Sequence, residues 1–574
     1  MAETIVSPGV LAIENDQSFI TSTPIQAGAA IIGPTVKGPV GIPTICTTYS
    51  DYQSKFGSTF ESGSQTYSYF TSISIYNYFQ NGGTSMLVTR VVSGSFTPAT
   101  SSIIENANTS ASIVLETLTE GIIMNSTGSE NADGSLVNGT DDNIRWQITN
   151  RNINEGTFEL VIRRGDDTTL SPSRLETWSN LSLDPYSSNY VEKVIGNQTQ
   201  TVSEDNGEYF LNLQGDFPNQ SRYVRVKQVN TLTPKYFDND GDAKPEFTGS
   251  LPSLGSGSFG AATGTNLPGS SGNYYENINN SNTQGLPASA YTESISLLSN
   301  REAFRYNMIS MPGIIADGTN FSTHSPVATQ LITAIEERGD AIAIIDIAGY
   351  GSNITPVATN AANYNTSYAA TYWPWTKTID PNLGTQIWVP ASTMIPGVYA
   401  FNDRIAEPWF APAGQTRGLL PTVVRAERNL TQGNRDTLYE NKVNAISTFP
   451  NTGVVVFGQK TLQKRRSALD RVNVRRLLIE LKDFISQVAD TLVFEQNDVN
   501  TRNNFLSQVN PYLADVQNRQ GLIDYRVIMD ESNNPPDVID NNQLIGQIYL
   551  KPTRSVEFIV LDFNVLPTGA TFPA

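Results

Sequence analysis

The run Ala341-Ile-Ala-Ile-Ile345 limits the possible folds of this chain more than any other segment. It is apolar at successive positions and lacks the alternation of a strand that is wet on one face, so a strand here must be covered on both sides. Such strands belong to parallel sheets, whose members are joined by long crossovers, usually helical. A crossover precedes it: Val327, Leu331 and Ile335 recur at helical spacing over residues 325–338, and Gly339 follows as a C-terminal stop. The first block repeats the arrangement. Ala29-Ala-Ile-Ile-Gly33 and Pro43-Thr-Ile-Cys-Thr47 read as strands around the turn Gly38-Pro39. Phe70, Ile73, Tyr76 and Phe79 read as a helix that stops at Asn81-Gly82-Gly83, and Met86-Leu-Val-Thr-Arg-Val-Val92 reads as the next strand. Gln386-Ile-Trp-Val-Pro390 is a further strand candidate.

Between these blocks the composition changes. Residues 96–290 carry period-two stretches, Phe158-Glu-Leu-Val-Ile-Arg163 and Arg222-Tyr-Val-Arg-Val-Lys227, among Ser, Thr, Asn and Gly. In residues 248–285, 25 of 38 are Gly, Ser, Thr or Asn, which leaves so little to bury that a long surface loop is expected. The block reads as a β-rich insertion exposed to solvent. Residues 451–574 open with the strand Val454-Val-Val-Phe457 and a basic helical run. An apolar stripe then passes through Val474, Leu477, Leu478, Leu481, Phe484 or Ile485, Val488 and Leu492. A second helix near residues 501–517 carries Phe505, Val509, Leu513 and Val516. Strands are expected at 522–529, 544–550 and 556–565, with a turn at Ser532-Asn-Asn-Pro-Pro536. Two helices on a small sheet is the economical arrangement.

Composition narrows the function. A chain of 574 residues suggests three or four domains. Asp plus Glu is 55 against 37 for Lys plus Arg, a net charge of −18, so the body as a whole repels phosphate backbones and anionic lipid. One cysteine, Cys46, cannot form an internal disulfide, and one histidine, His324, cannot build a His-rich metal site or a His-based triad within one chain. No N-terminal basic and apolar regions of a signal peptide stand out, and no run approaches the ~20 apolar residues that span a bilayer, so a soluble, cytoplasmically made protein is expected.

Three motifs tempt and fail. Gly255-Ser-Gly-Ser-Phe-Gly260 has the letters of a dinucleotide-binding turn but lacks the strand and helix that would aim amides at a pyrophosphate. Gly453-Val-Val-Val-Phe-Gly458-Gln-Lys460-Thr461 has one residue too many before its lysine, with strand formers where a phosphate loop needs a turn; Asp346 precedes it rather than follows. Asp238-Asn-Asp240-Gly-Asp242 starts like a Ca²⁺ loop, yet Ala243 and Gly249 stand where that loop needs Gly and Glu. A solvated acidic turn is expected there. Cys46 is expected to be a small buried residue, and His324 a cap or surface residue. No catalytic, cofactor or metal site is assigned.

One charge feature remains. From Gln459 to Lys482 eight basic residues stand against Asp470 and Glu480. Arg471 and Arg475, four apart, place part of this charge on one helix face, either as a solvated face with local ion pairs or as a docking stripe for an acidic protein surface. Both chain ends look like detachable strands: residues 4–13, interrupted by Pro8-Gly9, and residues 554–566. A free strand edge invites pairing, and a fifteen-residue arm reaches ~50 Å, far enough for exchange with a neighbouring copy.

With these ends in place the chain resembles a contractile tail sheath protein, from phages with contractile tails and related injection systems. The resemblance rests on Ser7-Pro-Gly-Val10, on Gly33-Pro-Thr-Val-Lys-Gly-Pro-Val40 before Pro43, on Tyr52 to Phe56-Gly57, and on Tyr78-Phe-Gln-Asn-Gly-Gly83. Arg471-Val-Asn-Val-Arg-Arg-Leu477 and the order of elements from Asn497 through Val565 continue it, so that it covers about 1–95 and 290–574. It implies an α/β and α+β multidomain subunit. An N-terminal arm (1–20) and a C-terminal arm (561–574) are exchanged with neighbours. An α/β core in two parts (21–95 and 291–450) flanks the β-rich outer insertion (96–290). An inner domain (451–560) of two helices lies on a small sheet that neighbours' strands complete. The implied role is structural, not enzymatic, and without cofactor. Subunits stack as hexameric rings around an inner tube, store energy when extended, and contract to drive the tube through an envelope. The implied partners are the chain itself, the inner tube protein, and baseplate and tail terminator proteins, with no direct nucleic-acid contact and no membrane insertion. The implied place is the virion tail or injection particle, assembled in a bacterial cytoplasm. Tube contacts are expected at Lys464, Arg465, Arg471, Arg475 and Arg476. Arm contacts are expected at Ile5, Val6, Val10, Leu11 and Ile13, and at Phe563, Val565, Leu566 and Phe572.

Overall fold

Ile342–Asp346 is a strand buried at every position inside an eight-stranded sheet. The computed structural model of the chain describes residues 25–62, 65–266 and 278–558. Across the sheet the strands are Gly453–Phe457, Asn444–Phe449, Ala369–Trp373, Ile342–Asp346, Met308–Ile315, Ala29–Gly33, Met86–Arg90 and Thr44–Cys46. The six inner strands run parallel, and an antiparallel strand closes each edge. Successive side chains serve opposite faces, as the pleat requires. Ala29, Ile31, Ile342 and Ile344 pack on one side with Phe70, Ile73, Ile395 and Tyr399, from helices Phe70–Gln80 and Ile395–Ile405. Ala30, Ile32, Ala343 and Ile345 pack on the other with Ile295, Val327, Leu331 and Ile335, from Thr292–Leu298 and His324–Arg338. Gly339 ends the latter helix in the left-handed region, at φ 71°, where a Cβ would be strained. Gln386–Val389 belongs instead to a separate three-stranded sheet with Thr376–Ile379 and Val423–Ala426.

The chain leaves this sheet after Met86–Arg90 and forms two antiparallel sheets of its own. One is ordered Arg174–Ser182, Thr157–Arg164, Ile144–Asn152, Gly255–Ser258; the other Val224–Val229, Ala111–Glu120, Pro98–Ile104. They share a core of Ile113, Leu115, Ile148, Leu160, Ile162 and Val224. The Gly/Ser tract expected to be loop thus supplies the edge strand Gly255–Ser258, followed by a fully buried Phe259. The reason is a tertiary contact: a Cβ at Gly257 would run into the indole of Trp146, which fills the space and donates Nε1–H to Ser101 Oγ at 2.7 Å. A hairpin, Thr199–Asp205 with Glu208–Gln214, reaches back so that Val202, Tyr209 and Leu211 pack on the α/β core. At the root of the insertion Arg90 is completely buried, donating to the carbonyls of Gly38 and Glu120 and to Asn266 Oδ1.

Beyond the sheet, helices Val472–Asp490 and Val499–Asn518 pack on a two-stranded antiparallel sheet of Leu522–Ile528 and Gln547–Pro552. Leu477, Leu481, Val488, Phe505, Val509, Leu513 and Val516 form the core, and Phe484 stacks on Tyr512 with ring centroids 3.8 Å apart. Residues 556–558, the described part of the expected third strand, are not in a strand. Among the described residues no helix is long and apolar enough to cross a membrane.

Two tests follow from this packing. Gly257→Val is expected to cost about 1–3 kcal/mol by overpacking against Trp146. Amide exchange should then quicken in Ile144–Asn152 but not in Ile342–Asp346. Asp346 is fully buried and accepts from the backbone and hydroxyl of Ser392, and burial pushes its carboxyl up to about 7. Between the ordinary carboxylate range and about 7 the folded chain holds a proton that the unfolded chain has released. Stability from this group therefore falls as pH rises through that window and is level above it. Melting of the wild type, compared with Asp346→Asn, is expected to drop between about pH 4 and 7 and to level off above; parallel curves would show an ionised carboxyl in the fold.

Candidate functional site

The basic run divides at Val472. Residues 459–471 are a folded-back loop with a single 3-10 turn, Ala468–Asp470, rather than the helical run expected from sequence. Lys460 and Arg471 pair across the loop, and Val472 N–H donates to the Gln459 carbonyl. Asn444 clamps the loop from the neighbouring strand, donating to the Lys460 carbonyl and accepting its N–H. These backbone bonds replace the intrahelical ladder.

The five candidate tube-contact residues have different environments. Lys464 and Arg465 are exposed. Arg471 precedes the helix and is half-buried; it forks onto Glu557 and also pairs with Asp470 at 2.9 Å. Arg475 is buried, stacked 4.0 Å from the Tyr368 ring centroid and donating to Ser367 Oγ; burial lowers its pKa. Arg476 is buried in a two-pronged pair with Asp403 and lies over the Tyr399 ring. The charged stripe, expected to be either a solvated face or a docking stripe, is at Arg475 buried together with Arg476 in a seam between the long helix and the α/β core. Arg476 is the buried member of its pair with Asp403, which is partly exposed, so loss of Asp403 is the costly change, leaving a buried guanidinium without its counterion. Trp409 extends the seam by donating to the Arg519 carbonyl at 3.0 Å.

Sequence reasoning did not single out Glu557, Tyr439 or Asp403. Glu557 accepts from Arg471, from Tyr439 Oη at 2.8 Å and from Gln459 Nε2 at 3.2 Å. Burial opposes its ionisation, but the bonds from Arg471 and Tyr439 outweigh this and hold its carboxyl below the ordinary range. Lys460 is 5% exposed, donates to the Tyr439 carbonyl at 2.7 Å and lies 3.2 Å from the Tyr439 ring centroid. Burial, then Lys442 and Arg471, lower its ammonium to about 7.

The remaining candidates fall elsewhere. Cys46 is buried, and burial pushes its thiol up to about 12. His324 is not a surface residue. It begins its helix fully buried, accepts from Ile315 N–H through Nδ1, and burial lowers its pKa to about 4. Asp238 closes the acidic turn on itself by accepting the amides of Asp240 and Asp242. Among the described residues no cluster of three or more His, Cys, Asp or Glu could hold a metal. The arm candidates Ile5, Val6, Val10, Leu11, Ile13, Phe563, Val565, Leu566 and Phe572 lie outside the described residues.

What the C-terminal region offers to a partner is backbone and apolar surface. Among the described residues, Leu522–Ile528 and Gln547–Pro552 pair only with each other, so each has an outer edge without a strand. Ile523 and Tyr549 on this sheet, and Val556 and Phe558 beyond it, are all more than half exposed.

Residues 271–462 match the family model of the phage tail sheath protein central domain, and residues 465–565 that of the phage tail sheath C-terminal domain. The tail sheath protein of Vibrio phage KVP40 is 35% identical over 291 residues, 50% of this chain and 42% of that protein. That of Enterobacteria phage T4 is 34% identical over 213 residues, 37% of this chain and 32% of that protein. The chain thus matches less than half the length of either relative. The crystal structure of the sheath tail protein from Listeria innocua shares the fold at a TM-score of 0.51 and 10% identity, over 92% of this chain and 95% of that one. With the two domain models together spanning about half of its length, the chain belongs to the phage tail sheath protein family.

Proposed function

We propose that the chain is the structural subunit of a contractile tail sheath, and that it works by polymerisation rather than catalysis. Subunits stack as hexameric rings around an inner tube. They store energy in the extended lattice and contract on a signal from the baseplate, driving the tube through the target envelope during genome or effector delivery. The assembled particle is a virion tail or an injection device, built in the bacterial cytoplasm and closed by a terminator protein. The observation that carries this reading is the two-stranded sheet with both outer edges unpaired among the described residues. Each backbone bond that an incoming strand makes there contributes about 1 kcal/mol net. The terminal segments 1–20 and 561–574 are the proposed donors from neighbouring subunits, which would keep the lattice connected while the bodies move.

The tube contact narrows to the exposed side chains. Lys464 and Arg465 are free to face an acidic tube; Arg471 is engaged by Glu557, and Arg475 and Arg476 would first have to leave Tyr368 and Asp403. The domains proposed are the core in two parts, 21–95 and 291–450, an outer insertion over 96–290 and an inner domain over 451–560.

Negative-stain microscopy of the full chain at high concentration, alone and with a supplied tube, tests the assembly. Tubes or stacked rings are expected, and chains lacking residues 1–14 or 566–574 should need at least ~10-fold more protein to form them. A full chain that neither polymerises nor coats a tube would refute the sheath reading. Charge reversal of Lys464 and Arg465 together is expected to weaken coating of an acidic tube about 10-fold and to leave tubeless polymers unchanged. Loss of the polymers as well would make this loop a contact between subunits.

A further inference from the structure

The head of the long helix borders a half-open cleft of about 660 Å³, walled on one side by the helix Gln432–Glu440 and on another by residues 554–558. Five cations line it, Lys442, Lys460, Arg466, Arg471 and Arg554, against two carboxylates, Asp470 and Glu557. Both carboxylates are engaged by the same side chain, Arg471. Lys442, Lys460, Arg466 and Arg554 have no carboxylate within ion-pair distance among the described residues. For the exposed Arg466 and Arg554 water suffices. Lys460 is different: it is 5% exposed, its hydrogen-bond acceptor among the described residues is the neutral Tyr439 carbonyl, and the like charge of Lys442 and Arg471 outweighs the attraction of Glu557 and Asp470. A buried ammonium among like charges is stable only if a counter-anion or a proton loss relieves it. The same wall carries the first turn of a 19-residue helix. Val472 N–H is bonded to Gln459, but the amides of Asn473 and Val474 have no acceptor among the described residues. The N-cap residue, Arg471, makes no side-chain cap. Uncapped amides and the positive end of the helix dipole favour an anion at this place.

We propose that this cleft is a binding site for a divalent tetrahedral oxyanion of the phosphate or sulfate class, held by Lys442, Lys460, Arg466 and Arg554 and by the amides that open the long helix. With Lys460 protonated, the surplus of three positive charges fits a dianion better than a single carboxylate. The bound anion would join Arg554, on the segment leading to the C-terminal arm, to Lys442 of the α/β core and to Lys460 in the loop that Asn444 clamps to that core. It would thus fix the root of the arm against the body of the subunit. The site stands on this cavity and its charges and does not depend on the sheath reading.

Inorganic phosphate and sulfate, titrated calorimetrically into the full chain against chloride at matched ionic strength, test it. Matching is needed because screening alone weakens any cationic patch. Saturable binding with Kd below about 1 mM is expected, together with slower amide exchange in residues 553–558. Lys460→Met, and Arg554→Gln at an exposed position that leaves the fold intact, should each weaken binding at least fivefold. Arg465→Gln, in the exposed loop outside the cleft, should not. Binding no stronger than that of chloride, or equal loss in Arg465→Gln and Arg554→Gln, would overturn the site in favour of diffuse charge. A Glu-rich peptide that binds where phosphate does not would overturn it in favour of a carboxylate dock.

Discussion

Everything in this subunit depends on a parallel sheet that is complete only when both ends of a long detour meet. Met308–Ile315 pairs with Ile342–Asp346 on one side and with Ala29–Gly33 on the other, so two separated stretches of chain build one core. Loop-closure entropy grows only slowly with length, so a large insertion between them is tolerated if it buries its own apolar surface and returns to its starting point. The insertion does both. Its two antiparallel sheets share a separate core, and Arg90, fully buried on the last strand before it, holds Glu120 and Asn266 of the outgoing and returning chain. An arginine with no carboxylate at ion-pair distance among the described residues is a costly group to bury, and burial lowers the pKa of Arg90 to about 10. Its three oxygen acceptors offset part of that cost and fix the angle at which the insertion leaves.

The same physics decides what was legible in the sequence. Ile342–Asp346 and the helices His324–Arg338 and Val499–Asn518 carry their periodicity within themselves, so local pattern found them. Gly255–Ser258 has no pattern at all. It is a strand because Trp146 needs a residue without a side chain beside it, a demand that arises more than a hundred positions away. Spacing on one helix describes only that helix, so it cannot show that Arg475 and Arg476 are buried. Their burial is imposed by Tyr368, Tyr399 and Asp403, which reach the seam from elsewhere in the fold. His324 was misplaced for the same reason: its position at the start of a helix suggested exposure, and tertiary packing overrode it. Of the candidate site, the sequence revealed the cationic surplus but not how it is divided. Glu557, which takes up Arg471, lies in a segment whose pairing depends on the fold as a whole.

That division matters for assembly. A chain with a net charge of −18 repels its copies at long range, which on the proposed reading would keep subunits apart until short-range contacts form. The cationic surplus between residues 459 and 482 cannot serve simply as attraction for a partner, because Arg475 and Arg476 hold the long helix onto the core. Removing them from that seam to reach a partner would leave Asp403 unpaired and expose the Tyr368 and Tyr399 rings. An attraction purchased in this way would loosen the domain that bears the unpaired sheet. Directional contact is therefore better supplied by backbone. A strand edge bonds only a strand laid in register, and its bonds are far less sensitive to salt than surface charge. On the proposed reading, charge on Lys464 and Arg465 would set where the subunit sits on a tube. The sheet edges would set which neighbours it holds, and the buried arginine seam would transmit load between them.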